Sequence, residues 1–134
     1  MSKKIFVNLP VKDLDASMAF FKTLGFSFNP QFTDETAACM VISDDIYAML
    51  LTHAKMKEFT KKPIADATKS TEVLVALTFD SKAEIDTMLD AAVKNGGSEA
   101  RDMMDLGFMY HRSFNDPDGH IWELVWMDMS QAQG

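Results

Sequence analysis

Apolar and polar residues alternate from Ile5 to Val11. Ile5, Val7, Leu9 and Val11 fall on one side and Phe6 and Asn8 on the other, the period of a β-strand. Pro10 near its end suits an edge position or a strand terminus. The period then lengthens: Leu14, Ser17, Met18, Phe21 and Leu24 share one helical face. Asp13 stands where a side chain can accept from the helix's first free N–H groups. Gly25 stands where a left-handed residue ends the helix. Phe26-Ser27-Phe28 opens a second strand, and a polar loop covers 29–36. Two further strands, Ala38–Ser43 and Ile46–Thr52, are joined by a turn at Asp44-Asp45.

Periodicity stops over 53–72, a segment with five lysines and Pro63. It reads as a solvated connector or, more sharply, as a flap whose lysines attract an anionic ligand. The pattern then restarts. Val73, Val75, Leu77 and Phe79 alternate. Ser81 and Glu84 have capping-box spacing. Ile85, Met88, Leu89 and Ala92 form a helical face that ends at Gly96-Gly97. Ser98–Arg101 is a short strand, Met103–Gly107 a loop, and Phe108–Phe114 pairs back onto His120–Met127. The order β-α-β-β-β thus occurs twice, and the fold class is α+β. Module one spans 4–52, the connector 53–72, module two 73–127 and a frayed tail 128–134.

The last hairpin turns at Asp116-Pro117-Asp118-Gly119. Pro117 fits the second position of a type I turn, and Gly119 tolerates positive φ. Glu123 lies inside the apolar strand that follows, where an unpaired carboxylate is costly. This hairpin, with a glutamate four residues beyond the turn, resembles the last hairpin of the vicinal oxygen chelate superfamily. That group includes glyoxalase I, extradiol dioxygenases, fosfomycin-resistance enzymes and bleomycin-binding proteins. Val7-Asn8-Leu9-Pro10-Val11-Lys12-Asp13-Leu14, Ser17, Phe20-Phe21 and Leu24-Gly25-Phe26 resemble the same superfamily's opening strand and helix. The resemblance spans about residues 4–127 and implies a curved mixed sheet around a cavity. It also implies a homodimer.

Composition narrows the function. An apolar fraction of 47% over 134 residues suits one globular domain with a real core. A net charge of −7 and a pI near 4.8 argue against nucleic acid or an anionic membrane as partner. The single cysteine, Cys39, forms no internal disulfide and fits a reducing cytoplasm. It lies in a strand without a His/Asn partner set and reads as core. No apolar run is long enough to span a bilayer, and no secretory signal is visible. Eleven methionines fill the core or line an adaptable pocket.

Metal-dependent relatives take His, Glu or Gln ligands from the first, fourth, fifth and eighth strands. Carried over one position at a time, the first strand gives Phe6, or Asn8 in a register shifted by two. The fourth gives Leu50, the fifth Leu74 and the eighth Glu123. One ligand of four does not hold a divalent ion, so no metal and no other cofactor is expected. His53 sits at a strand end or on the connector, and His111 and His120, which could pair across the last hairpin, read as two partly exposed histidines.

Setting Phe114 opposite Ile121 places Arg112 opposite Glu123, a partly buried ion pair that compensates the carboxylate. Alternatively Glu123, with Arg112 or Tyr110, meets a polar ligand group or serves as a general base. The candidate binding residues are Phe6, Asn8, Leu50, Leu74, Tyr110, Arg112 and Glu123, and a catalytic role falls to Glu123. The mostly apolar lining suits a hydrophobic or aromatic small molecule bound or sequestered without metal. The opposing reading is a lactoylglutathione-lyase-like or extradiol-dioxygenase-like enzyme with a divalent ion at a non-standard site around Glu123.

Overall fold

The alternating N-terminus forms β1, Ile5–Val11, followed by α1, Leu14–Thr23. Asp13 caps α1 by accepting from the Ala16 N–H at 3.1 Å, and Gly25 follows the helix at φ +99°. The computed structural model describes residues 3–128 and Ser130, so the expected tail lies outside the described residues except for Asp128 and Ser130. The chain divides into two units, Met1–Ala65 and Asp66–Gly134, each repeating the β-α-β-β-β order.

The first unit adds β2 (Ser27–Phe28), β3 (Ala37–Val41) and β4 (Ile46–Thr52). Its mixed sheet runs β1-β4-β3-β2, with β1 parallel to β4 and Pro10 on the edge strand. Leu9, Leu50 and Ala38 lie side by side in that register, and with Ala48 and Met40 they form the dry face. α1 packs on β3 and β4 and buries Leu14, Ser17, Phe20 and Phe21. A short helix, α2 (His53–Met56), follows where no periodicity pointed to one, since four residues are too few to show a period. Thr52 caps it through the Lys55 N–H at 3.2 Å.

The second unit comprises β5 (Leu74–Thr78), α3 (Lys82–Lys94), β6 (Ser98–Asp105), β7 (Met109–Asn115) and β8 (Ile121–Met127). Its sheet runs β5-β8-β7-β6, with β5 parallel to β8. The loop expected over Met103–Gly107 is mostly strand. β6 continues to Asp105, with register shifts on both sides of Arg101 that broke the alternation on which the shorter reading rested. The Ser81 hydroxyl accepts from the Glu84 N–H at 3.2 Å. Glu84 reaches back to the Asp80 N–H rather than to Ser81, so only half of the capping box forms as expected. Trp122, Phe114 and Leu124 are fully buried on the α3 side of the sheet.

The β7–β8 turn is built on Asp116, which is 4% exposed. Its carboxylate accepts from the N–H groups of Asp118 and His120, both at 3.0 Å, and from Trp122 Nε1 at 3.1 Å. The Gly119 N–H closes the turn on the Asp116 carbonyl at 2.9 Å. Backbone atoms of Ala67 and Thr68 lie 2.8 Å from where a Cβ on Gly119 would stand. The end of the presumed connector is therefore a strap folded against the hairpin turn.

Candidate functional site

The register of the last hairpin decides which side chains meet Glu123. Asn115 stands opposite Ile121, Ser113 opposite Glu123 and Arg112 opposite Leu124. The pairing of Arg112 with Glu123 expected from sequence is therefore off by one residue. The Asp116 N–H bonds the His120 carbonyl at 2.9 Å and moves the last strand pair inward. A one-residue slip sends every side chain to the opposite face. Arg112 and Tyr110 accordingly face α3. Arg112 donates to Asp86 at 3.0 Å and to Glu99 at 3.1 Å, and the Tyr110 hydroxyl donates to Asp86. The Tyr110 bond, with help from Arg112, holds the Asp86 carboxyl below the ordinary aspartate range. Neither Tyr110 nor Arg112 belongs to the Glu123 site.

Leu50 is corrected for the same reason. The parallel β1–β4 register pairs Phe6 with Tyr47 and Asn8 with Met49, so Leu50 falls on the dry face with Leu9 and is fully buried. Phe6 and Asn8 lie on the other face of the first unit, both exposed, with the Phe6 ring stacked on Tyr47 at 4.7 Å. Leu74 stands in register with Ile121, on the face of Glu123, and is 54% exposed.

Glu123 itself is 8% exposed. One cross-strand row runs Ala76, Glu123, Ser113, Arg101 over β5, β8, β7 and β6. Arg101 Nη2 lies 3.0 Å from Glu123 Oε2, and His111 Nε2 lies 2.8 Å from the same oxygen. His111 occupies the diagonal position two residues from Ser113, within reach of long side chains. With the proton on Nε2, His111 donates to Glu123 and offers Nδ1 to Arg101 Nη2, 2.9 Å away. The carboxylate is thus compensated within the second unit by one guanidinium and one imidazole. His120, expected to be partly exposed, is 7% exposed beside Asp116.

Arg101 and His111 were missed as partners of Glu123. The chain has only two arginines, Arg101 and Arg112. A buried glutamate had just those two guanidinium candidates, and that was the available signal.

Ser113 completes the row. It is fully buried, and among the described residues its hydroxyl has no hydrogen-bond partner. An orphaned buried hydroxyl costs about 1–3 kcal/mol. Ser113→Ala should therefore stabilise the protein by about 1 kcal/mol in thermal melts. Around this polar row the face is apolar. Ile121 and Val125 are half-buried, and Leu74, Met104 and Met127 are exposed.

A tightly held divalent ion needs three or four donor side chains converging on one point. Among the described residues no group of three His, Cys, Asp or Glu side chains is arranged to hold one. The side chains flanking Glu123 in its row are Ala76 and Ser113, and its bonded oxygen already takes Arg101 and His111. The residues present do not fit a tightly held metal.

Residues 3–43 match the bleomycin resistance protein-like N-terminal family. Solved structures resemble the whole chain. A hypothetical protein from S. aureus is 25% identical, with 94% of this chain and 95% of that one covered and a TM-score of 0.78. A glyoxalase/bleomycin resistance protein/dioxygenase family enzyme from Burkholderia phytofirmans is 14% identical, with 94% and 99% covered and a TM-score of 0.75. A bleomycin resistance determinant encoded on transposon Tn5 is 21% identical, with 95% and 99% covered and a TM-score of 0.65. None of the curated proteins matches the chain in sequence. Among the described residues no helix is long and apolar enough to cross a membrane.

Proposed function

We propose that the chain, whose residues 3–43 match the bleomycin resistance protein-like N-terminal family and whose fold resembles glyoxalase/bleomycin resistance/dioxygenase structures, is a member of the vicinal oxygen chelate superfamily that binds a hydrophobic or aromatic small molecule without metal. The binding surface is the Glu123 face of the second unit. The observation that carries this reading is the state of Glu123. It matches the eighth-strand ligand position of the superfamily, yet its carboxylate is engaged by Arg101 and His111. The other strands offer no ligand in its place: Phe6 and Asn8 stand on the first, Tyr47 and Met49 share their face on the fourth, and Leu74 stands on the fifth. Apolar side chains around a compensated polar row suit a ligand with an apolar body and few polar groups. Calorimetry suits the screen of aromatic compounds, since Trp126 pairs with Tyr110 on the opposite face of the sheet.

A second reading, a lactoylglutathione-lyase-like or extradiol-dioxygenase-like enzyme, is favoured by one contact. Glu123 and His111 are two ligand-type side chains that touch. Metal analysis of the protein purified without chelator, with melts in excess Zn²⁺, Ni²⁺, Mn²⁺ or Fe²⁺, separates the two readings. A specific ion at 100 times its dissociation constant stabilises a fold by about 2.7 kcal/mol, several degrees in the melt. No bound metal and no shift is expected. Stoichiometric metal lost in Glu123→Gln would give the enzyme reading precedence.

A cytoplasmic homodimer is part of the proposal. Cys39 is buried and free, and Met103, Leu106 and Phe108 leave an apolar surface at the β6–β7 turn. Light scattering checks the assembly.

A further inference from the structure

We propose that Arg101 is an internal stand-in for the ligand, and that the ligand itself is an organic cation: a primary ammonium or amidinium on an apolar or aromatic body. The inference rests on the reading that the Glu123 face is a binding surface, and it names the ligand class.

Three observations converge. Arg101, Ser113 and Glu123 sit side by side on three consecutive strands. Strands two apart are about 10 Å apart, so the Arg101 side chain must cross above Ser113 to put Nη2 3.0 Å from Glu123. That crossing accounts for a serine hydroxyl that is both fully buried and without a partner. Ser113 is therefore roofed by a side chain rather than packed into core. Second, the roof is lightly held. The Arg101 side chain is 39% exposed, and among the described residues its side-chain bonds all use the one nitrogen Nη2. Its backbone lies on the edge strand between two register shifts. Third, the position beneath it fits a cation. Removing the guanidinium bares a carboxylate of which only 8% is exposed.

A neutral or anionic newcomer would leave that charge with the His111 hydrogen bond alone, whereas a cation replaces like with like. An ammonium or amidinium has enough N–H groups to bond Glu123 and also give Ser113 Oγ its missing partner. Leu74, Ile121, Val125 and Met104 share this face and offer apolar surface to the body of the molecule. The chain's charge of −7 draws cations in general toward the protein.

Bound by its own arginine, the site is only partly available, so apparent affinity is reduced by the fraction of open protein. The experiment is a titration of wild type, Arg101→Ala, Glu123→Gln and Ser113→Ala with three probes. These are 1-naphthylmethylammonium, the neutral 1-naphthalenemethanol and the anionic 1-naphthoate, followed by calorimetry. Arg101→Ala should bind the cation about tenfold more tightly than wild type, the gain expected if the arginine is seated about nine-tenths of the time. Glu123→Gln should weaken cation binding at least tenfold, and Ser113→Ala should weaken it by a smaller factor.

Unchanged or weaker cation binding in Arg101→Ala overturns the inference. So does tighter binding of naphthoate than of the cation in wild type, lost in Arg101→Ala, which would make Arg101 an anion anchor. If the neutral alcohol binds and the cation binds no better, this inference falls and the proposed binding function stands. If none of the three binds any variant, both fall. Should Arg101→Ala fail to fold, the wild type still decides. The Nε–H resonance of Arg101 should shift as the ammonium probe is added, and a resonance unmoved at saturation overturns the inference.

Discussion

Asp116→Ala should lower the stability of the fold by about 3–5 kcal/mol, since orphaned buried donors cost about 1–3 kcal/mol each. The carboxylate takes three donors at once: the Asp118 and His120 N–H groups and the Trp122 indole. Alanine leaves all three without that acceptor. The largest share should come from the His120 N–H and the indole, whose bonds are both buried. Trp122 is itself fully buried and stacked on Phe114 at 6.4 Å, so the loss reaches the α3 core and not only the turn. Urea unfolding at neutral pH measures the effect, and a loss below 1 kcal/mol would show that the turn holds without its carboxylate.

Asp116→Asn should cost less, because its amide oxygen still accepts the backbone N–H groups. Its pH dependence has a definite sign. Burial pushes the Asp116 carboxyl above the ordinary aspartate range, against the pull of His120 and the donated hydrogen bonds. A raised folded pKa means the folded protein takes up the proton more readily than the unfolded chain. That contribution is complete below the unfolded value of about 3.9 and is lost as pH rises through the folded one. Asparagine cannot take up this proton, so the deficit of Asp116→Asn against wild type should widen on acidification toward pH 4.

The same aspartate explains where the sequence could be read and where it could not. Element order was legible because alternation at Ile5–Val11 and Val73–Phe79 and helical spacing from Leu14 and from Ile85 are local properties. So were the cap at Asp13, the stop at Gly25 and the turn at Pro117. Register is not local. One backbone bond, from the Asp116 N–H to the His120 carbonyl, shifts the pairing of β7 with β8 by one residue. Arg112 and Tyr110 move to the α3 face, and Ser113 and His111 come to Glu123. Leu50 was misplaced by the same kind of slip in a parallel pair, where no turn ties the strands together. Arg101 was hidden for another reason. It stands between two irregularities of an edge strand, where alternation gives no face assignment. Glu123 could be flagged from sequence because a charge in an apolar strand stands out. Its partners could not, because they depend on pairings that only the folded sheet fixes.

Gly119→Ala should destabilise the protein by about 2–4 kcal/mol, more than any other glycine substitution at a turn of this chain. Two costs add. Gly119 has φ +90°, and an L-residue in the left-handed region costs about 1–2 kcal/mol. The new methyl would also stand 2.8 Å from the Ala67 carbonyl carbon and the Thr68 nitrogen, backbone atoms that cannot rotate away. Forcing extra volume into a filled site costs typically about 1–3 kcal/mol. Gly25 is the internal control. It has φ +99° but nothing within 4 Å of a built Cβ, so Gly25→Ala should carry the backbone cost alone.

The two costs also differ in where they are felt. The clash pushes on the strap around Ala67 and Thr68, which Asp66 organises by accepting from the Thr68 N–H at 2.9 Å. Trypsin should therefore cleave after Lys69 several-fold faster in Gly119→Ala than in wild type, while cleavage after Lys61 keeps its rate. Equal losses of stability in Gly119→Ala and Gly25→Ala, with no change at Lys69, would mean that the strap yields freely and that the hairpin turn is held by Asp116 alone.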